Sequence, residues 1–211
     1  MYFKKLNRRI LGAPVPAVLD DIIKYGYTKN LEFKGIKYSK PSALHLDKYF
    51  DLIDLLPDEV SHLFNISVMS INARVNPHTD SNTATAINFY VDAGNYVTTF
   101  HNIKEDAPAF QLNTQTDGVV YNFKDVDDEA SFVAETGDIY VLDVTKTHSV
   151  RPLTKPADKR ISLTLSTMLE YDSVIEMLQD DPAPCTMDDD EYDSAIRTEA
   201  WLRENYEANN S

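Results

Sequence analysis

Gly137-Asp138-Ile139-Tyr140-Val141-Leu142-Asp143-Val144 runs directly into Thr145-Lys146-Thr147-His148-Ser149-Val150-Arg151-Pro152. After Lys155-Pro156-Ala157-Asp158 the chain resumes as Arg160-Ile161-Ser162-Leu163-Thr164-Leu165-Ser166. Three short runs rich in β-branched residues, each closed by Gly, Asp, Lys or Pro, read as strands joined by turns. The last alternates strictly, with Arg160, Ser162 and Thr164 on one face and Ile161, Leu163 and Leu165 on the other. A hairpin through residues 155–159 predicts antiparallel pairing between the strand carrying His148 and the strand carrying Arg160 and Ser162.

The same texture extends upstream, with strand-like runs at 66–75, 86–91, 96–101, 118–123 and 131–134, beside those at 138–144 and 160–168. So many short strands predict a mainly β protein, a sandwich or barrel of jelly-roll type with flanking helices packed on one face. Helical spacing appears at 17–26, with Val18, Ile22 and Ile23, and at 42–56, with Leu44, Tyr49, Ile53 and Leu56. Pro57-Asp58-Glu59 opens a further helical turn through Leu63. Residues 179–191, with Pro182, Pro184 and a run of Asp, read as an extended acidic linker. A last helix from near Asp190 places Tyr192, Ala195, Ile196, Leu202 and Tyr206 on one face, with Trp201 opposite. Trp201 is then an ordinary residue of a docked helix, or a partner contact or lid. The expected organisation is one domain over 1–211: a helical buttress at 1–65, a β core at 66–168, and an acidic linker with C-terminal helix at 169–211.

Composition narrows the function. A chain of 211 residues with 43% hydrophobic content can bury a sizeable core as one domain. The formal charge of −14, with 20 Lys and Arg scattered along the chain, disfavours a nucleic-acid partner. Any positive site must be small and local. No apolar stretch approaches the length of a membrane helix, and the N-terminal apolar run is cut by Arg8, Arg9, Pro14 and Pro16, so neither a membrane span nor a signal peptide is expected. A single cysteine, Cys185, excludes an internal disulfide or a Cys-rich zinc site and fits a reducing cytoplasm.

Two His-x-Asp tripeptides occur, His45-Leu46-Asp47 and His78-Thr79-Asp80. Roughly one His-x-acid pair is expected by chance from 5 His and 34 acidic residues, so local structure must choose between them. On a helix, residues i and i+2 diverge, whereas on a strand they share a face. His45 and Asp47 fall in a helical pattern. His78 and Asp80 follow an extended approach through Asn76-Pro77 and can converge on one ion. Of the remaining histidines, His62 lies in a helical turn and His101 ends a strand and could face the site or solvent. His148 follows the Gly-Asp turn and its strand and is the favoured third ligand. Two imidazoles and one carboxylate leave coordination positions open, which suits a non-haem iron that must also take a chelating cosubstrate and dioxygen. Arg160, on an inward row with Ser162, needs an anion: a dicarboxylate cosubstrate, or an internal ion pair with one of the chain's many acids, such as Asp143 or Asp138.

Taken together, His78-x-Asp80, His148 and Arg160-x-Ser162 over residues 66–168 resemble the 2-oxoglutarate and Fe(II)-dependent oxygenase superfamily. Within it the chain looks like a small stand-alone member, aspartyl/asparaginyl or prolyl hydroxylase-like, although many prolyl hydroxylases have Lys where this chain has Arg160. The resemblance implies a double-stranded β-helix, a cupin-like jelly-roll barrel. It also implies Fe(II) bound by His78, Asp80 and His148, and 2-oxoglutarate held through its distal carboxylate by Arg160 and Ser162. The implied reaction is hydroxylation of a C–H bond of a peptide side chain, amino acid or small molecule, consuming O2 and releasing succinate and CO2. Asn88 and Tyr90, on one strand face, are candidate polar contacts to cosubstrate or substrate; Asn72 and Arg74 are weaker ones. Two other readings stand beside it: a cupin-like metal-binding isomerase or small-ligand binder without oxygenase activity, and a non-catalytic interaction module.

Overall fold

The computed structural model describes residues 1–7, 36–39, 56, 58–111, 118–154 and 159–179. The β-branched and alternating runs form strands β1 (Phe3–Lys5), β2 (Ile36–Ser39), β3 (Asn65–Ile71), β4 (Val75–Thr79), β5 (Thr85–Asp92) and β6 (Tyr96–Ile103). They continue with β7 (Phe110–Gln111), β8 (Val119–Val120), β9 (Val126–Val133), β10 (Ile139–Asp143), β11 (His148–Pro152) and β12 (Arg160–Thr167). Two helices, α1 (Asp58–Ser61) and α2 (Tyr171–Gln179), lie among the described residues.

Two antiparallel sheets result. Sheet A has the order β1-β10-β5-β12-β3-β2 and sheet B the order β7-β8-β4-β11-β6-β9. The chain changes sheet at β3–β4, β4–β5, β5–β6, β9–β10, β10–β11 and β11–β12, so strands remote in sequence become neighbours. Four strands of each sheet, β10-β5-β12-β3 and β4-β11-β6-β9, linked in this way, make a double-stranded β-helix of jelly-roll type.

The alternation predicted for β12 is realised with both faces buried. Ile161, Leu163 and Leu165 join Val68, Ile87, Phe89, Ile139 and Val141 in a core cluster closed by Phe64 and, from α2, by Tyr171, Val174 and Leu178. The opposite face of sheet A looks into the sandwich. There Ala86, Tyr90, Tyr140 and Leu142 pack with Phe100 and Phe132 of sheet B. The amphipathic α2 thus covers sheet A, as expected for a helix on one face. The described residues contain no helix long and apolar enough to cross a membrane.

Four sequence expectations are corrected. First, β11 and β12 do not form a hairpin: β11 lies between β4 and β6, and β12 between β3 and β5. Each strand has only two edges, and the connection at 153–159 is longer than a tight hairpin turn, long enough to cross between sheets. Second, the run at 66–75 is two strands, broken at 72–74 where the chain passes from sheet A to sheet B. Asn72 and Arg74 therefore sit in a turn, both exposed, and the Arg74 guanidinium stacks over Phe123, 4.9 Å from its ring centroid. Third, only Val119–Val120 of the run at 118–123 is a strand, and Phe123–Asp125 is a 3-10 turn. Fourth, the run at 131–134 is the end of a longer strand, β9. The expected helices at 17–26 and 42–56, His45-Leu46-Asp47, the acidic linker and the Trp201 helix lie outside the described residues, apart from Leu56, which is buried.

Candidate active site

β4 and β11 are neighbours in sheet B, and His78 and His148 are directly opposed across them. Their ring centroids are 4.3 Å apart. The register between these strands slips between His148 and Val150, at the level of Asn76-Pro77. Proline has no N–H for a ladder, and an irregularity is where a strand tolerates one. Asp80 follows β4 and is tied by its backbone N–H to the Val144 carbonyl at 3.0 Å. Its Oδ1 lies 3.5 Å from His78 Nε2. One donor atom from each of His78, Asp80 and His148 lies within 4.8 Å of the other two. The site selected from the sequence is thus assembled spatially.

Both imidazoles are oriented in the same way. His78 Nδ1 is 2.8 Å from the Asn76 carbonyl, and His148 Nδ1 is 2.9 Å from the Lys146 carbonyl. Donation from Nδ1 to a backbone oxygen leaves each Nε2 as a lone pair for a cation. His148 is buried, and that burial, reinforced by neighbouring His78 and opposed by Asp80, pulls its pKa down to about 4. It is neutral at neutral pH, the state a metal ligand requires.

One contributor was not legible in the sequence. Gly118 is buried against the metal motif, and a Cβ there would overlap the carbonyl oxygen of Thr79, between His78 and Asp80. Beside it, β8 pairs with β4, His78 opposite Val120. A glycine before a strand reads as ordinary turn chemistry; only the long-range contact shows why a side chain is excluded.

Arg160 enters the sandwich from the start of β12 and is 3% exposed. Its Nη1 donates to Thr98 Oγ1 at 3.0 Å and its Nη2 to the Tyr90 hydroxyl at 2.6 Å, with the guanidinium carbon 4.4 Å from the Tyr90 ring centroid. Among the described residues its Nε has no partner, and neither does the buried Ser162 Oγ. Among the described residues no carboxylate pairs with Arg160. Asp138 is engaged by Lys5 at 2.6 Å and Asp143 by Thr145, so the expected alternative of an internal ion pair is not realised with either of these acids. Asn88 and Tyr90 do share the inner face: Asn88 Oδ1 accepts from Thr164 Oγ1 at 2.7 Å, and Tyr90 orients Arg160.

The two halves of the site are in register. Thr98, which receives Arg160, is opposite Val150, and Phe100, two residues on, is opposite His148. One same-face step on a strand is about 7 Å. A buried cation therefore sits about one such step from the His-Asp-His cluster, a spacing suited to a short dicarboxylate. Phe100 packs against His148 with ring centroids 5.6 Å apart, and Tyr2 stacks on Phe100 at 5.5 Å, so the N-terminal residues wall the site. His101 faces the other side of sheet B and takes no part in this cluster. Its Nε2 is 2.8 Å from Ser149 Oγ and its Nδ1 3.0 Å from Asp128 Oδ1. His62 is exposed in the turn after α1.

No family model and no curated protein matches the chain. Solved structures with similar strand arrangement include the non-heme alpha-ketoglutarate-dependent epimerase SnoN from nogalamycin biosynthesis, with TM-score 0.48 and 13% identity over 78% of this chain and 75% of that one. Vicilin from hazelnut (Corylus avellana) gives TM-score 0.38 and 11% identity over 69% of this chain and 31% of that one. Oxalate decarboxylase from Bacillus subtilis gives TM-score 0.36 and 11% identity over 74% of this chain and 35% of that one. The chain spans about a third of the length of the last two.

Proposed function

We propose that this protein is a non-haem Fe(II) and 2-oxoglutarate-dependent dioxygenase that hydroxylates a C–H bond of a peptide side chain, amino acid or small molecule. The observation that carries the reading is the buried Arg160, with no carboxylate partner and with its Nε and the Ser162 hydroxyl unsatisfied among the described residues, one strand step from His78, Asp80 and His148. A buried guanidinium without an anion is costly, and a carboxylate offers the acceptors that both groups lack.

In this reading His78 Nε2, a carboxylate oxygen of Asp80 and His148 Nε2 hold Fe(II), while Arg160 and Ser162 hold the distal carboxylate of 2-oxoglutarate. Once bound, the metal and cosubstrate supply dioxygen activation coupled to decarboxylation, giving succinate, CO2 and the oxidising equivalent for the substrate. The chain's own residues supply placement. Carbonyls 76 and 146 fix the imidazole tautomers, Tyr90 and Thr98 aim the guanidinium, and Asn88, its carbonyl engaged by Thr164, presents its amide donors on the same inner face. Phe100 and Tyr2 keep water from one side of His148. The charge of −14 favours encounter with neutral or basic substrates. A ferrous enzyme with a lone Cys185 fits a reducing cytoplasm.

The test is anaerobic addition of Fe(II) and then 2-oxoglutarate, followed by visible absorption. A metal-to-ligand charge-transfer band that needs both components supports the reading. Metal uptake without that band would instead support a cupin-like metal binder, and no metal uptake an interaction module.

A further inference from the structure

Asp128, His101 and Ser149 form a line across the outer side of sheet B that the proposed reaction does not use. Ser149 directly follows His148 on β11, so its side chain points to the opposite face. Its Oγ is 2.8 Å from His101 Nε2, and His101 Nδ1 is 3.0 Å from Asp128 Oδ1. The order is that of a nucleophilic triad, yet Ser149 is 0% exposed, and no substrate carbonyl can reach its oxygen. Its role must be internal.

The location points to that role. β11 slips against β4 between His148 and Val150, and β6 slips against β9 between Phe100 and His101. The β4–β11 and β6–β9 ladders are thus interrupted at the level of the metal ligand, on either side of the β11–β6 pair, whose own register is unbroken, and an irregular strand can re-aim its side chains there. His101 spans this level. Its backbone N–H donates to the Thr147 carbonyl at 2.8 Å, and its ring links β9 through Asp128 to β11 through Ser149. Nδ1 lies 3.0 Å from the Asp128 carboxylate without completing a hydrogen bond to it, and a hydrogen placed there leaves Nε2 to accept the Ser149 hydroxyl hydrogen. The ring is braced edge-on by Phe123, centroids 6.3 Å apart.

We infer that Asp128, His101 and Ser149 are a positioning relay that fixes β11 so that His148 meets the metal in productive geometry. The inference rests on His148 being a metal ligand. Outer partners that orient metal ligands typically carry about tenfold or more in metal affinity.

Co(II) titration with visible spectroscopy, beside thermal melting, tests it on the full chain. Ser149→Ala and His101→Asn are expected to weaken Co(II) binding about tenfold and to alter its d–d spectrum. His101→Gln, whose side-chain oxygen can occupy the Nε2 position and accept from Ser149, is expected to recover most of the affinity and the spectrum. Wild-type affinity and spectrum in all three variants, with only a lowered Tm, would overturn the relay and leave a structural tie. If Ser149→Ala does not fold, the contrast between the Asn and Gln variants decides, and equal behaviour of the two sinks the inference. No Co(II) uptake by the wild type would overturn the metal-centre reading and the relay with it; uptake by the wild type with unchanged variants overturns the relay alone.

Discussion

Sheet A and sheet B face the same interior but are held in place differently. In sheet A, β12 keeps an unbroken register with β3 from Arg160 to Ser166, and its outer face is sealed by apolar side chains of α2. It slips only on the β5 side, between Ile161 and Ser162. In sheet B, the strand carrying His148 likewise keeps an unbroken register with β6 and slips on the β4 side, but the outer face of these two strands holds the buried polar residues Thr99, His101 and Ser149. Apolar burial backs the strand that carries Arg160, whereas a side-chain hydrogen bond between His101 and Ser149 backs the strand that carries His148. In the proposed reading, the division gives a carboxylate clamp an apolar base and the metal ligands a polar backing.

Breaking each side separately tests the contrast. The largest effect is expected from His148→Ala or Asp80→Ala, which remove metal binding altogether, read as loss of anaerobic Fe(II) or Co(II) uptake by a protein that still folds. Arg160→Ala should lower 2-oxoglutarate affinity about a hundredfold, the scale of a charge-assisted pair, with metal affinity almost unchanged. Calorimetric titration of each ligand separates the two, and equal loss of both would mean that Arg160 is structural. Gly118→Ala should cost about 1–3 kcal/mol, because the Thr79 backbone must give way, and should weaken metal binding more than 2-oxoglutarate binding. Leu163→Ala, on the sealed face of sheet A, should cost about 2–5 kcal/mol in denaturant unfolding, with ligand affinities of the folded protein retained. The smallest effect is expected from His45→Ala: metal binding unchanged, with any loss favouring the other His-x-Asp.

What could be read from the sequence was what local periodicity encodes. Alternation in Arg160 to Ser166 separated an inward polar row from an apolar one, and strand geometry let His78 and Asp80 converge, whereas the other His-x-Asp lies outside the described residues. What could not be read was strand partnership. β11 and β12 look like a hairpin because they are sequential, but their edges are claimed by strands far away in the chain. The break at Asn72 to Arg74 was hidden because the residues on both sides favour β structure. The roles of Gly118, Tyr2 and His101 depend on neighbours at 39 or more residues' separation, from Thr79, Phe100 and Ser149, and no window of sequence contains them.

The alternation of the chain between sheets has a further consequence, for folding kinetics. His78 meets His148, and Arg160 meets Tyr90, each pair joined by 70 residues of intervening topology. Contacts of such long range form slowly, after the loops between them have closed. A metal bound through His78 and His148 can therefore act only on a chain whose barrel is nearly complete. It should slow unfolding and raise the melting temperature while leaving the refolding rate unchanged, making the metal a lock on the finished barrel rather than a template for it.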